Sequence, residues 1–152
     1  MTNLNKAYHL VTIYLLEKTF YIVGSVEMPP IFVWRQVNPV YKVEMNNKEK
    51  LAQMIEMARL QSISRFNSGH DDHKILPWDG EKNKVWNHAQ KSWSILWYED
   101  GSVKVSRYEP YDPNEPDLGE GKAWRPIKNA KKILPPSVSP QDIAQEILSK
   151  IN

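Results

Sequence analysis

The run SWSILWYEDGSVKVSRYEPY, residues 92 to 111, constrains the fold more than any other stretch, because it sets two strand-length segments around Glu99-Asp100-Gly101. Two registers are open to it. If Asp100 and Gly101 form a two-residue turn, Tyr98 faces Val103 and the tryptophans share a face with Lys104 and Ser106. If Glu99, Asp100 and Gly101 form a three-residue loop with the glycine in the left-handed bulge position, Trp97 faces Val103 and Tyr98 faces Ser102. Trp93, Ile95, Trp97, Val103 and Val105 then lie on one side and Ser94, Tyr98, Ser102, Lys104 and Ser106 on the other. A one-residue slip exchanges every side chain between faces, so the register that separates polarity is the one expected. The tryptophans are thereby assigned to the core rather than to an open platform on which nucleotide bases would stack. Tyr108 and Tyr111, beyond the paired segment, are the aromatics expected at the surface.

The rest of the chain supplies partners for that hairpin. Residues 8 to 16, YHLVTIYLL, are apolar at both parities, which predicts a central strand covered on both faces. Residues 19 to 28 read as its hairpin partner, although Glu17-Lys18 lacks the glycine or asparagine of a two-residue turn. IFVWRQV is a further strand, Asn38-Pro39 marks a turn, and VYKVEM follows. In NNKEKLAQMIEMARLQ the apolar residues Leu51, Met54, Ile55 and Ala58 fall on one helical stripe. Asn46 is expected to cap this helix, with Glu49 completing a capping box. Ser139-Pro140 opens a second helix, with Asp142 in its first turn and Ile143, Ile147, Leu148 and Ile151 as its apolar stripe. Residues 64 to 91 show no sustained period and read as a long loop with short pieces of structure. The expectation is a single α+β domain over residues 1–152, an antiparallel sheet of about five or six strands packed on one side by two main helices.

Length and composition narrow the function. A chain of 152 residues can bury roughly 70% of its unfolded surface without covalent staples. With no cysteine there is no disulfide framework and no thiolate metal site, and a reducing cytoplasm is the natural setting. No stretch approaches the roughly 20 apolar residues of a membrane-spanning helix, and no signal-peptide cleavage pattern follows the first apolar run. The chain has no GxSxG elbow and no glycine-rich phosphate loop. GHDDHK, residues 69 to 74, offers His70 and His73 with Asp71 and Asp72 between them. A metal site needs three or four convergent ligands, and no third distant one is identifiable, so a solvated loop is the reading there. His9 reads as a structural histidine, and His88 is left unassigned. No enzyme activity, metal or cofactor is expected.

The net charge of +2 implies no polyanionic partner, but its distribution is uneven. From 99 to 120 the acids Glu99, Asp100, Glu109, Asp112, Glu115, Asp117 and Glu120 stand against only Lys104 and Arg107. Residues 109 to 121, EPYDPNEPDLGEG, form a proline-broken surface loop. Glu109, Tyr111, Asp112, Glu115, Asp117 and Glu120 make an electronegative, tyrosine-bearing surface suited to docking on a basic protein, a class that includes most nucleases. The bland alternative is a solvated charge run. Lys122, Arg125, Lys128, Lys131 and Lys132 form the opposite, basic flank, and a nucleic-acid-binding module using this 122–132 segment is the alternative reading.

SWSILWYEDGSVKVSRYEPYDP, with GKAWRPI, KILPP and the terminal SPQDIAQEILSKI, resembles the bacterial contact-dependent growth-inhibition immunity proteins. The resemblance spans about the last 60 residues. It implies a small, cytoplasmic, non-enzymatic protein that binds and neutralises the C-terminal toxin domain, often a nuclease, of a cognate effector. It carries over no catalytic residue. The slightly positive net charge departs from the acidic inhibitor that a basic nuclease would call for and leaves the toxin's chemistry open.

Overall fold

The structure is a computed structural model that describes residues 6–28, 33–62, 82–110 and 124–151. Its elements run β1 (Ala7–Leu16), β2 (Thr19–Met28), β3 (Val33–Glu44), α1 (Lys48–Gln61), α2 (Lys82–His88), β4 (Lys91–Tyr98), β5 (Val103–Pro110), β6 (Trp124–Leu134) and α3 (Pro140–Leu148). The strands form one antiparallel sheet in the order β3-β2-β1-β4-β5-β6. The chain is therefore an α+β domain of six strands among the described residues, as expected. Two three-stranded meanders meet where β1 pairs with β4, and β1 lies at the centre.

The central position explains why β1 is apolar at both parities. On one face Val11, Ile13 and Leu15 pack with Phe20 and Ile22 of β2, Trp93 and Ile95 of β4, and Val103 and Val105 of β5. Leu51, Ala52, Ile55 and Ala58 of α1 and Ile143, Ala144 and Ile147 of α3 cover this face. On the other face Tyr14 and Leu16 pack with Tyr21 and Val23 and with Val85 and Ala89 at α2. The sheet is thus packed on both sides, where one-sided packing was expected, because α2 arises within a stretch whose short period carries too little signal to be read as a helix.

The tryptophan hairpin adopts the polarity-sorting register. Trp97 opposes Val103 and Trp93 opposes Arg107. Gly101 has φ 87°, its amide bonds the Tyr98 carbonyl at 2.9 Å, and the Tyr98 amide bonds the Ser102 carbonyl at 3.0 Å. Glycine is needed here because few side chains tolerate that backbone region. Trp93 and Ile95 are wholly buried, and Trp97 packs half-buried against the same core.

Two local expectations are corrected, and one left open is settled. The Asn38-Pro39 pair does not end a strand: β3 continues through it, with Val37 opposite Gly24 and Val40 opposite Val23. The two extra residues form a bulge, tolerated because β3 is an edge strand among the described residues and needs no outward amide from Pro39. The cap of α1 is Asn47, whose side chain accepts from the Lys50 amide at 3.1 Å, and not Asn46. A turn closed by the Asn47 amide on the Glu44 carbonyl, 3.0 Å, takes up Asn46, so Glu49 lies one position short of a capping box. Leu16 opposes Thr19, so Glu17-Lys18 is a two-residue loop, closed with Glu17 at φ 58° in place of glycine. The α3 start is as expected, with Ser139 and Asp142 in a reciprocal capping box and Pro140 following.

Candidate functional site

Of the acidic surface expected from sequence, Glu109 is described and Tyr111, Asp112, Glu115, Asp117 and Glu120 lie outside the described residues, as do Lys122, His70 and His73. Glu109 is half-buried near the end of β5 and opposes Arg125 of β6, whose Nε donates to its carboxylate at 3.0 Å. Both side chains are about two-fifths exposed, 44% and 40%, so solvent screens the pair and it contributes at most about 1 kcal/mol. Tyr108 is also half-buried, and its hydroxyl lies 3.3 Å from the Ser94 hydroxyl. His88 is exposed at the end of α2. Among the described residues no cluster of three or more histidines and carboxylates is placed to hold a metal.

His9 binds structure to structure. Its Nδ1 bonds the Ser62 carbonyl at 2.9 Å, while the Ser62 hydroxyl accepts from the Leu10 amide at 2.7 Å, which ties the end of α1 to β1. Burial lowers the His9 pKa below its ordinary value, opposed by the Ser62 bond. Tyr14 has the same character on the second face: its hydroxyl accepts from Gln36 Nε2 at 2.8 Å, and its ring meets Trp86 and Trp124 at 6.2 and 5.8 Å.

The strongest convergence of polar groups lies where β5 and β6 part. Ser106 opposes Lys131 and Tyr108 opposes Pro126, so Ile127, Lys128, Asn129 and Ala130 all stand against Arg107 alone. Asn129 has φ 62°, a left-handed conformation that asparagine tolerates better than most side chains and that lets the chain rejoin the ladder. The bulge parts the strands beside the far end of α3. A hollow of about 360 Å³ opens there, walled in part by Trp93, Arg107, Lys131, Lys132, Glu146 and Lys150. A second, of about 350 Å³, shares Trp93 and Arg107 and extends to Lys91 and Tyr108.

The electrostatics of this place are positive. Glu146 is held by Lys132 at 3.3 Å, whereas Arg107 donates only to the Lys150 carbonyl, at 3.2 Å. Arg107, Lys131 and Lys150 have no carboxylate partner among the described residues. Beside them the Trp93 indole is wholly buried, edge-on to Phe20 at 5.9 Å, and its Nε1 has no hydrogen-bond acceptor among the described residues. An orphaned buried donor costs about 1–3 kcal/mol. Sequence reading assigned Trp93 to the core and Lys131 and Lys132 to the basic flank, but it did not bring in Arg107 or Lys150. The opposition of Trp93 and Arg107 was present in the chosen register. Nothing in the spacing placed Lys150 there, because it arrives through the docking of α3.

The basic segment is divided by the same geometry. Arg125 is paired with Glu109, while Lys128, Lys131 and Lys132 are exposed along β6, an edge strand among the described residues. Lysine on an edge strand also guards against pairing with another sheet.

No family model matches the chain, and no curated protein matches it. Among solved structures it is similar to a protein of unknown function from Neisseria meningitidis, with a TM-score of 0.60 and 16% identity, covering 99% of this chain and 97% of the other. That likeness is one of fold. No helix among the described residues is long and apolar enough to cross a membrane.

Proposed function

We propose that the protein is an immunity protein that binds and neutralises a cognate toxin domain of a contact-dependent growth-inhibition effector in the cytoplasm. One observation supports the reading: the tryptophan-rich stretch that bears the resemblance spends its indoles on the core, with Trp93 wholly buried and Trp97 packed half-buried against it. Trp93 and Ile95 are fully buried, so this hairpin serves as a rigid mount and offers no aromatic platform. Binding by such a protein requires no chemistry, only enough affinity to cover or distort the toxin's working cleft.

Co-expression with the toxin domain encoded beside its gene tests this. The wild-type protein is expected to co-purify with that domain and abolish its toxicity, and the variant with Glu109, Asp112, Glu115 and Asp117 changed to serine is expected to stay folded and lose binding. Undiminished binding by the variant removes the rim as the contact surface, and failure of the wild-type protein to bind removes the immunity reading.

A second reading is favoured by a separate observation, the exposed row Lys128, Lys131 and Lys132 on an edge strand beside Arg107 and Lys150. Such a strand suits a nucleic-acid backbone, and binding there would fall log-linearly with rising salt. No retention of DNA or RNA at low salt would discard it.

A further inference from the structure

We propose that the hollow at the β5–β6 bulge is a binding site for a phosphate-type oxyanion, held by the Arg107 guanidinium and the Lys131 and Lys150 ammonium groups beside the buried Trp93 indole. The inference stands apart from toxin binding, because it rests on the bulge and not on the rim after Tyr108.

Three observations converge. The bulge sets four residues of β6 against one of β5 and so parts two strands that would otherwise close over Arg107. The opening, about 360 Å³, is more than a single carboxylate fills and takes a phosphate together with part of the group that bears it. Its wall carries four cations, Arg107, Lys131, Lys132 and Lys150, against one carboxylate, Glu146, which Lys132 already engages. Three cations then have no charged partner among the described residues. A monoanion would leave most of that charge unmet, whereas a phosphate monoester carries about −1.5 to −2 at neutral pH and presents several acceptor oxygens. Trp93 lines the same wall with its Nε1 closed off from solvent, so its indole proton reports on the hollow without donating to the ligand. Arg107 is anchored through one bond to the Lys150 carbonyl, which leaves its other N–H groups for a ligand in the fork geometry that phosphate oxygens match.

The arrangement discriminates by charge and by acceptor geometry. Chloride at equal ionic strength screens the cations but, as a single-centre monoanion, cannot accept from a guanidinium fork and two ammonium groups through separate oxygens. The same phosphate chemistry reaches the site as a free ion, as a mononucleotide or as a strand of nucleic acid, and affinity separates these sources.

The experiment follows the indole proton of Trp93 by two-dimensional NMR of the full chain, its signal among six tryptophans identified by its loss in Trp93→Phe. Titration with inorganic phosphate at neutral pH is expected to move that signal saturably, and sodium chloride at matched ionic strength is expected not to. Arg107→Gln is expected to weaken the response at least about tenfold. Because that variant also loses the bond to Lys150, the double variant Lys131→Gln, Lys150→Gln, which alters only exposed side chains, serves as the second arm and is expected to weaken it as well. Tighter binding of a nucleoside 5′-monophosphate than of phosphate supports the site with a free ligand as occupant, and a further gain with a single-stranded oligonucleotide supports it with a polymer. A Trp93 signal unmoved by all three, or moved equally by chloride, overturns the proposal, as does an unchanged response in the double variant.

Discussion

Tyr14 shows how one residue couples packing to pH. It is almost fully buried, against two tryptophans on the second face, and burial pushes its hydroxyl up to about 12. The Gln36 bond works in the opposite direction and is the smaller influence. Because the folded pKa lies above the unfolded value of about 10, the unfolded chain releases this proton first as pH rises. Stability attributable to Tyr14 is therefore present below pH 10 and is lost between about 10 and 12. The loss is on the order of 2 to 3 kcal/mol. Chemical denaturation across that range is expected to show the decline in the wild-type protein and a shallower one in Tyr14→Phe. Equal slopes for the two would show that Tyr14 ionises as freely in the fold as out of it. Trp93 belongs at the same scale: the chosen register placed it inside, but the orphaned state of its N–H depends on every neighbour it meets and is invisible in the one-dimensional pattern.

At the scale of the element, the α1 start separates what periodicity fixes from what a cap requires. The stripe Leu51, Met54, Ile55 and Ala58 predicts the buried face, and Leu51, Ile55 and Ala58 are buried with Met54 packed beside them. Two adjacent asparagines offer equivalent cap chemistry, so the residues alone do not choose between them. The choice is made by the turn that closes β3, with the Asn47 amide on the Glu44 carbonyl and the Met45 amide on the Lys18 carbonyl at 2.8 Å. Asn47→Ala is expected to lower the unfolding free energy by about 1 kcal/mol, and Asn46→Ala to change it by a few tenths at most. Denaturant midpoints of the two variants in the opposite order would restore Asn46 as the cap. The Asn38-Pro39 bulge has the same lesson: a proline that reads as a stop in an isolated segment is absorbed in a strand that stands at the edge of the sheet among the described residues.

For the whole molecule, the controlling dimension is the distance between α1 and the sheet. Gly24 lies on β2 beneath the helix, and a Cβ placed there would meet the Ala58 carbonyl oxygen at 2.5 Å. Neither backbone can give way cheaply, since Ser62 ties the end of α1 to β1 through His9 and Leu10. Gly24→Ala is expected to destabilise the fold by about 1–3 kcal/mol through overpacking, and thermal unfolding of the variant measures it. A melting temperature equal to the wild type would mean that the layers separate more readily than this packing allows.

Sequence by itself determined the strands β1, β2, β4 and β5 and the two longer helices, the three-residue loop at Gly101, the Ser139 cap and the inward tryptophans. Each follows from residue period, turn chemistry or polarity sorting, which act between neighbours along the chain. Tertiary structure alone decided that α2 covers the second face, that β3 and β6 end the strand order among the described residues, and that Arg107 and Lys150, 43 positions apart, stand at the wall that holds Trp93. Such meetings depend on which strand lies beside which and on where a helix docks, and the summed packing of the core sets both.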